Sequence, residues 1–184
     1  QVKPGHVLKV QRANGRLEVS ESTYWDVDFP RKDERDPKQS EADHIAAVRA
    51  SLLEAVELRM VADVPVGCYL SGGIDSCSIL GLASAVSQAP VKAFTIGFDD
   101  ARYDESPIAR EMAEATGAEQ DLMRLSGQEL YGHMERTIWH AERTIYNTLA
   151  VAKFLMSRHV NEVDYKVVMT GEGSDELFGG YPAF

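Results

Sequence analysis

The feature that most constrains this chain is a short apolar run that ends at two consecutive glycines and continues directly into a helical pattern. The run is Val66 to Leu70, the glycines are Gly72 and Gly73, and the helical pattern covers Ile74 to Val86. A buried strand, a tight turn and a helix are the opening of a βαβ unit. Further strands are predicted at 91–98, 120–124 and 166–170, and further helices at 104–116, 128–141 and 147–160. This alternation predicts an α/β fold with a mostly parallel sheet and flanking helices.

The first 39 residues are organised differently from the rest of the chain. Two β-like runs, Val7 to Gln11 and Arg16 to Ser20, are separated by Asn-Gly at positions 14 and 15, which is a strong hairpin signal. Residues 29–39 are almost all charged or proline, so they offer little apolar surface to bury. We therefore predict a hairpin within residues 1–28, followed by a charged linker.

A helix is predicted immediately after the linker. Ser40 and Asp43 resemble a capping box, in which each residue satisfies the other's backbone N–H. Apolar residues follow at helical spacing and predict one buried helix face, made of Ile45, Val48, Leu52, Val56 and Met60. Pro65 ends the pattern, and the second region of the chain begins there.

Composition excludes several classes of protein. The 184 residues are 44% hydrophobic, as in ordinary globular proteins, and 19 Lys and Arg stand against 29 Asp and Glu. A formal charge of −10 disfavours binding to nucleic acid or to anionic lipid. No apolar stretch is long enough to span a membrane, and we expect no membrane partner. Cys68 and Cys77 form no CxxC pair and no disulfide framework, so we expect a reducing cytoplasm.

The first glycine turn has the chemistry of a phosphate site. Bare amides at Gly72 and Gly73, which can take backbone angles closed to other residues, combine with a helix N-terminus to form an anion pocket. Ser71 and Ser76 add hydroxyls, and Asp75 fits beside phosphate if Mg²⁺ lies between them. The spacing is neither that of a Walker A loop nor that of a GxGxxG loop. A plain strand-to-helix turn with Asp75 as the helix cap is the alternative.

The second glycine turn, residues 171–181, carries three carboxylates, Glu172, Asp175 and Glu176. Ligands of open α/β sheets gather at the carboxyl ends of strands, so the two turns face one crevice if their strands are neighbours. Asp75 and Asp175 would then share one Mg²⁺. The alternative is that Ser174 caps a helix whose first turn carries acidic residues to suit the helix dipole.

A third candidate feature is the end of the second strand of the sheet. Ile96 and Gly97 could supply the apolar slot and the backbone edge that adenine needs. Ordinary core packing is the alternative for Ile96.

At these residues the sequence resembles the glutamine-hydrolysing asparagine synthetase family, whose synthetase domain is a PP-loop ATP pyrophosphatase. Residues 71–76 match the family pattern Ser-Gly-Gly-x-Asp-Ser, and residues 171–181 match Gly-(Glu/Asp)-Gly-x-Asp-Glu-x-x-Gly-Gly-Tyr. The resemblance covers residues 40–184, as the N-terminal part of the synthetase domain. Residues 1–28 resemble the last strands of the preceding glutaminase domain.

The resemblance implies an adenine-nucleotide α-hydrolase-like fold that binds ATP and Mg²⁺. It places pyrophosphate on Ser71, Gly72, Gly73, Asp75 and Ser76. It places adenosine beside Leu70, Ile96, Thr170 and Gly171. The resemblance also implies that Asp75 and Asp175 bind the metal and that Glu172 and Asp175 are catalytic, with Glu172 assisting the attack of ammonia. The implied reaction converts aspartate through aspartyl-AMP into asparagine, and it releases AMP and pyrophosphate.

Departures from the family pattern limit what the resemblance implies. The family's glutaminase nucleophile is an N-terminal cysteine, whereas position 1 here is Gln1 and the rest of that domain is missing. A family lysine downstream of the Gly-Gly-Tyr motif is also absent. We therefore expect a fragment, truncated at its C-terminus, that lacks complete activity and hydrolyses no glutamine. A related amidotransferase, a β-lactam synthetase-like enzyme and a domain that only binds nucleotide remain alternatives. Whether the protein is a homodimer stays open.

Overall fold

A computed structural model of the chain describes residues 1–29, 31–34 and 38–182. The chain forms two compact units, residues 1–45 and residues 46–184. Within the predicted linker, Pro30 and residues 35–37 lie outside the described residues. The division into a glutaminase remnant, a linker and a synthetase part stays a prediction. Among the helices of the described ranges, none is long and apolar enough to cross a membrane.

The first unit is built on the predicted hairpin. Strand β1, His6–Ala13, pairs antiparallel with strand β2, Arg16–Thr23. Asn14 and Gly15 form the two-residue turn with φ of 51° and 75°, the left-handed angles that such a turn requires. Nearly every residue of the two strands is exposed. Backbone pairing and turn chemistry therefore define this sheet, while burial contributes little.

Helix α1, Glu41–Met60, begins at the predicted capping box. The N–H and the hydroxyl of Ser40 both donate to the Asp43 carboxylate, and the N–H of Asp43 donates to the Ser40 hydroxyl. The prediction of one continuous buried face is wrong, because Ile45 and Val48 remain 61% and 40% exposed. Only Val56 becomes fully buried, because only the C-terminal half of the helix packs on the main core.

The second unit contains the predicted parallel sheet. Its four strands are β3, Val66–Tyr69; β4, Lys92–Phe98; β5, Glu119–Leu125; and β6, Val167–Met169. They lie in the order β5-β4-β3-β6, and every neighbouring pair is parallel. The α/β class predicted from the sequence is confirmed.

Helices cover both faces of this sheet. They are α2, Ile74–Val86; α3, Ser106–Thr116; α4, Gly127–Gly132; α5, Met134–Ala141; α6, Leu149–Glu162; and α7, Ser174–Phe178. Leu80 and Ala83 of α2 pack with Ala109 and Ala113 of α3 in one core cluster, which includes Ala93 of β4. Phe94, the next residue of β4, packs instead with residues of α6. Because successive side chains of β4 point to opposite faces of the sheet, the strand contributes to a core layer on each face.

The helix predicted at 128–141 is two helices, so that prediction is wrong. His133 interrupts the run with φ −107° and ψ 7°, outside the helical range. Its ring Nδ1–H donates to the carbonyl oxygen of Glu129, which caps the end of α4. Gly132 precedes the break and favours it, because glycine is a weak helix former.

The order of the strands creates a switch point beside β3. From β3 the chain moves outward to β4 and β5, and it then crosses back to place β6 on the other side of β3. The helices of the first two connections lie against one core layer and α6 lies against the other. The switch point therefore lies at the carboxyl ends of β3 and β6, which is the position at which α/β sheets bind ligands.

Candidate functional site

The carboxyl ends of the parallel strands open onto a cleft of about 1030 Å³. Nearly all of the residues predicted to contact nucleotide, metal or reacting groups line it. They are Leu70, Ser71, Gly73, Asp75, Ser76, Ile96, Thr170, Gly171, Glu172 and Asp175. Gly72 is the exception, because it faces the first turn of α3. The fold thus brings together two turns about a hundred positions apart in the sequence.

Two serine hydroxyls hold the loop after β3 in shape. The hydroxyls of Ser71 and Ser76 are 2.9 Å apart, and the Ser76 hydroxyl also accepts from the N–H of Ser71. The N–H of Gly73 donates to the Ser71 hydroxyl. These hydrogen bonds organise the loop without a ligand, and this reduces the conformational entropy that would be lost when a ligand binds.

Neither glycine of this loop has an unusual backbone angle, and Gly72 is needed for space. Neither Gly72 nor Gly73 has a positive φ, and Gly73 is extended with φ −77° and ψ 150°. A Cβ on Gly72 would lie 3.1 Å from the Cβ of Glu105 and 3.2 Å from that of Ile108. The prediction that these glycines take unusual backbone angles is wrong, and at Gly72 the constraint is the close approach of α3.

One amide of this loop already binds an anion of the protein itself. The N–H of Gly72 donates to a carboxylate oxygen of Glu105 at 3.1 Å. Glu105 is exposed, lines the cleft and lies 33 positions away in the sequence. Its carboxylate shows that the loop offers a backbone donor to an oxyanion, as a phosphate site must. The sequence analysis gave Glu105 no role, because this residue lies outside both loop motifs.

The loop after β6 packs directly against the first loop. A Cβ added to Gly171 would lie 2.6 Å from the Cβ of Asp75 and 3.1 Å from the backbone nitrogen of Ser76. The hydroxyl of Ser174 donates to the carbonyl oxygen of Gly171 at 2.7 Å, and Gly173 turns the chain with φ 95°. In this loop Gly171 allows the close approach to Asp75, and Gly173 takes the left-handed backbone angle.

The two aspartates of these loops have the character of a cation site. Both are half-buried, and within the described ranges neither carboxylate has a hydrogen-bond or ion-pair partner. Asp75 does not cap α2 and Ser174 does not cap α7, because the capping residues are Gly73 and Gly173 and no side chain bonds there. The capping part of both alternatives is therefore wrong, whereas Asp175 and Glu176 do lie in the first turn of α7, as the alternative for the second loop expected.

Protein groups alone do not complete a metal site in this cleft. In the described part of the chain, no three or more His, Cys, Asp or Glu side chains are placed to hold one ion. Two unpaired carboxylates beside an anion-binding loop fit a Mg²⁺ ion that takes its remaining ligands from phosphate oxygens and water. The donor set thus fits the metal only together with a nucleotide or pyrophosphate.

The apolar end of the cleft lies over β4. Phe94, Ile96 and Phe98 line it together with Leu130 and Met156 from the helical layer. Ile96 is half-buried. It lines the cleft, as the adenine-slot prediction expects, and it also packs against the core, as the alternative expects. Gly97 faces away from the cleft, toward Leu122 and Asp104, because successive residues of a strand point to opposite sides.

A charged pair lies at the other wall of the cleft. Lys153 of α6 donates to the Glu172 carboxylate with 2.5 Å between Nζ and Oε1, and both residues line the cleft. Nearby, the hydroxyls of Tyr69 and Ser157 are 3.2 Å apart and join the end of β3 to α6. Sequence reasoning found Glu172 but missed Lys153, because helical spacing alone does not show which loop a side chain reaches.

The two cysteines are not equipped as nucleophiles. Burial raises the pKa of the Cys68 thiol to about 11, and burial also raises the pKa of Cys77. Both thiols are free, and Cys68 is fully enclosed in the core. A raised thiol pKa favours the neutral form, which is the less reactive form of cysteine.

A family model described as asparagine synthase matches residues 47–184, which is most of the chain. The match includes the sheet and both loops of the cleft. The chain belongs to the asparagine synthase family. The resemblance inferred from the two loop motifs is confirmed.

Curated relatives include both amidases and asparagine synthetases. The chain is 38% identical over its whole length to Amidase chyE of Penicillium rubens and to Amidase chry2 of Gibberella zeae. It is 31% identical over 98% of its length to asparagine synthetase [glutamine-hydrolyzing] 1 of Bacillus subtilis. The chain spans 29% of each amidase and 27% of the synthetase. It therefore represents under a third of the length of these relatives.

A solved structure shares the fold. The chain matches the NH3-dependent NAD synthetase of Campylobacter jejuni with a TM-score of 0.52 and 16% identity, over 74% of this chain and 60% of that one. At this identity the likeness concerns the fold alone. The prediction of an adenine-nucleotide α-hydrolase-like α/β fold is confirmed.

Proposed function

We propose that this chain is the ATP-binding part of a ligase that forms an amide bond through an acyl adenylate. The observation that carries the proposal is the convergence of two glycine loops, with two unpaired aspartates, on one cleft at the switch point of the sheet. Membership of the asparagine synthase family supports the use of ATP. For the whole protein, we propose aspartate as the acid and ammonia released from glutamine as the nitrogen donor.

In the first step, a carboxylate oxygen of the acid attacks the α-phosphorus of ATP. The new O–P bond forms as the bond from the α-phosphorus to the bridging oxygen breaks, and pyrophosphate leaves with that electron pair. We assign pyrophosphate to residues 71–76 and adenosine to Leu70, Ile96, Thr170 and Gly171. The protein contributes chiefly in-line positioning and donors for the charge on the leaving group. The preorganised loop after β3 supports that contribution.

Mg²⁺ would be held by Asp75 and Asp175. When bound, such an ion neutralises phosphate charge and orients the phosphate oxygens. The chain's own residues set its place, since Gly171 allows the second loop to approach Asp75 and the Ser174 hydroxyl holds that loop.

In the second step, ammonia attacks the acyl carbon of the adenylate. The C–N bond forms, the C–O bond to AMP breaks, and AMP leaves with the electron pair. We assign the proton lost from nitrogen to the carboxylate of Glu172, which lines the cleft. We also propose a cytoplasmic location, which agrees with two free thiols.

A second candidate is the same chemistry on another carboxylic acid. The observation that favours it is the higher identity to two proteins named amidases, 38% against 31% for the asparagine synthetase of Bacillus subtilis. The loops after β3 and β6 serve adenylation of any acid, so they do not choose between the candidates.

The test is ATP–pyrophosphate exchange by the full-length protein with labelled pyrophosphate. Exchange that depends on aspartate is the expected result. Exchange that depends on another acid instead of aspartate would favour the second candidate function. If the protein binds ATP but supports no exchange with any of a panel of amino and carboxylic acids, the adenylation proposal is wrong and a domain that only binds nucleotide is favoured.

A further inference from the structure

The ion pair between Lys153 and Glu172 joins two elements across the cleft wall. Lys153 belongs to α6, and Glu172 belongs to the loop after β6, 19 positions later. The pair buries little surface, since the side chains remain 53% and 70% exposed. An exposed pair of this kind contributes little to stability. Stability alone is therefore a weak reason for Lys153 to hold this position.

Lys153 is presented from a rigid base. The two residues before it, Val151 and Ala152, are 0% and 1% exposed and anchor α6 in the core. The carbonyl oxygen of Lys153 accepts from the Ser157 hydroxyl, which also contacts the Tyr69 hydroxyl at the end of β3. The base of the Lys153 side chain is thus fixed relative to the strand that leads into the first loop.

Glu172 lies in a loop and not on a helix, and its N–H donates to the Thr170 hydroxyl at 3.4 Å. It lies between Gly171 and Gly173, neither of which has a side chain to restrict it, and Gly173 takes a left-handed φ of 95°. Within the described ranges, Lys153 is the only basic side chain that forms an ion pair with Glu172. The direction of the Glu172 carboxylate therefore depends on Lys153.

We propose that Lys153 is a positioning residue for the amide-forming step. It holds the Glu172 carboxylate toward the cleft, where that carboxylate takes the proton lost from nitrogen as ammonia attacks the acyl adenylate. This inference rests on the proposed function and adds a residue to it. Lys153 acts through Glu172 and takes no part in forming the adenylate.

The experiment compares Lys153→Met and Lys153→Arg in the full-length protein. Methionine keeps a long unbranched side chain without the charge, and arginine restores a cation. Arg158→Met is the matched control, because Arg158 lies on the same helix, pairs with Glu162 at 3.5 Å and does not line the cleft. Adenylation is read by ATP–pyrophosphate exchange, and amide formation is read by single turnover with ammonia.

We expect Lys153→Met to catalyse ATP–pyrophosphate exchange at a rate within about twofold of wild type. We expect its rate of amide formation to fall roughly ten- to a hundredfold, because a misplaced reacting group causes a loss of this size. Lys153→Arg should recover part of the rate, and Arg158→Met should match wild type in both assays. Adding Glu172→Gln to Lys153→Met should cost little more than Glu172→Gln alone, because both changes remove one function.

Three results would overturn the inference while leaving the proposed function in place. One is amide formation by Lys153→Met at the wild-type rate. Another is a raised KM for the acid in the exchange assay, which would make Lys153 a binding residue for that acid. The third is an equal loss of exchange and amide formation with a lowered melting temperature, which would make its role structural. Absence of exchange in wild type would instead remove the proposed function itself.

Discussion

At the scale of single residues, the cleft depends on groups that the protein leaves unsatisfied. Asp75 and Asp175 are half-buried and have no partner in the described ranges, whereas Asp104 is bonded to Ser106 and paired with Arg124. Two carboxylates without partners beside an anion-binding loop are costly unless a ligand compensates them.

Asp75→Asn and Asp175→Asn should each weaken binding of pyrophosphate in the presence of Mg²⁺ by roughly tenfold or more, because a hard cation prefers carboxylate to amide oxygen. Without Mg²⁺ the same variants should bind pyrophosphate no more weakly than wild type, since each removes a negative charge. Calorimetry with and without Mg²⁺ measures both effects. Asp63→Asn is the control, as Asp63 is exposed and does not line the cleft. Unchanged affinity in Mg²⁺ would contradict the metal assignment.

At the scale of elements, the site is a contact between two turns that follow neighbouring parallel strands. β3 and β6 pair in register from Val66 with Val167 to Cys68 with Met169, so both strands end at the same height. The turns then meet at Gly171 and Asp75, where no side chain fits on the glycine. Strand register therefore determines the geometry of the site.

Gly171→Ala should separate the two turns, because its Cβ would lie 2.6 Å from the Cβ of Asp75. Overpacking of this kind costs about 1–3 kcal/mol, and the displaced loop should also lose Mg²⁺-dependent pyrophosphate binding. Thermal unfolding and calorimetry measure the two effects. Gly132→Ala is the control, since nothing lies within 4 Å of a Cβ at that position. Wild-type binding by Gly171→Ala would show that close approach of the turns is unnecessary.

At the scale of the whole molecule, hydrogen-bonded carboxylates at the starts of helices link folding to pH. Hydrogen bonds from Ser40 lower the pKa of Asp43, those from Ser106 lower that of Asp104, and those from Ser126 lower that of Glu129. A carboxylate with a lowered pKa in the folded state stabilises the fold above its unfolded value, and that stability is lost as pH falls through the folded value.

The melting temperature should therefore be highest above about pH 5 and should fall progressively on acidification below the ordinary values of 3.8 for Asp and 4.5 for Glu. Scanning calorimetry between pH 3 and pH 7 measures the trend. Ser126→Ala should reduce the dependence, because it removes the hydroxyl that bonds to Glu129. A melting temperature that is flat or rises on acidification would contradict the prediction.

Much of this architecture is predictable from the sequence because it depends on residues close together along the chain. Asn-Gly sets the hairpin turn, Ser40 and Asp43 set the start of α1, and apolar runs that end in glycine set β3 and β6. The prediction failed at His133 and at the N-terminal half of α1, because tertiary contacts decide where a helical pattern breaks and how far it is buried.

The sequence by itself determined the α/β class, the two glycine turns and the positions of Asp75, Glu172 and Asp175 within those turns, because backbone propensity and short motifs act locally. Only the tertiary structure decided that Glu105 accepts a hydrogen bond from the N–H of Gly72, 33 positions away. It likewise decided that Lys153 pairs with the carboxylate of Glu172, 19 positions away. It also decided that Gly72 serves close packing and not an unusual φ. Such pairings follow from strand order and helix packing, which bring side chains together regardless of their distance along the chain.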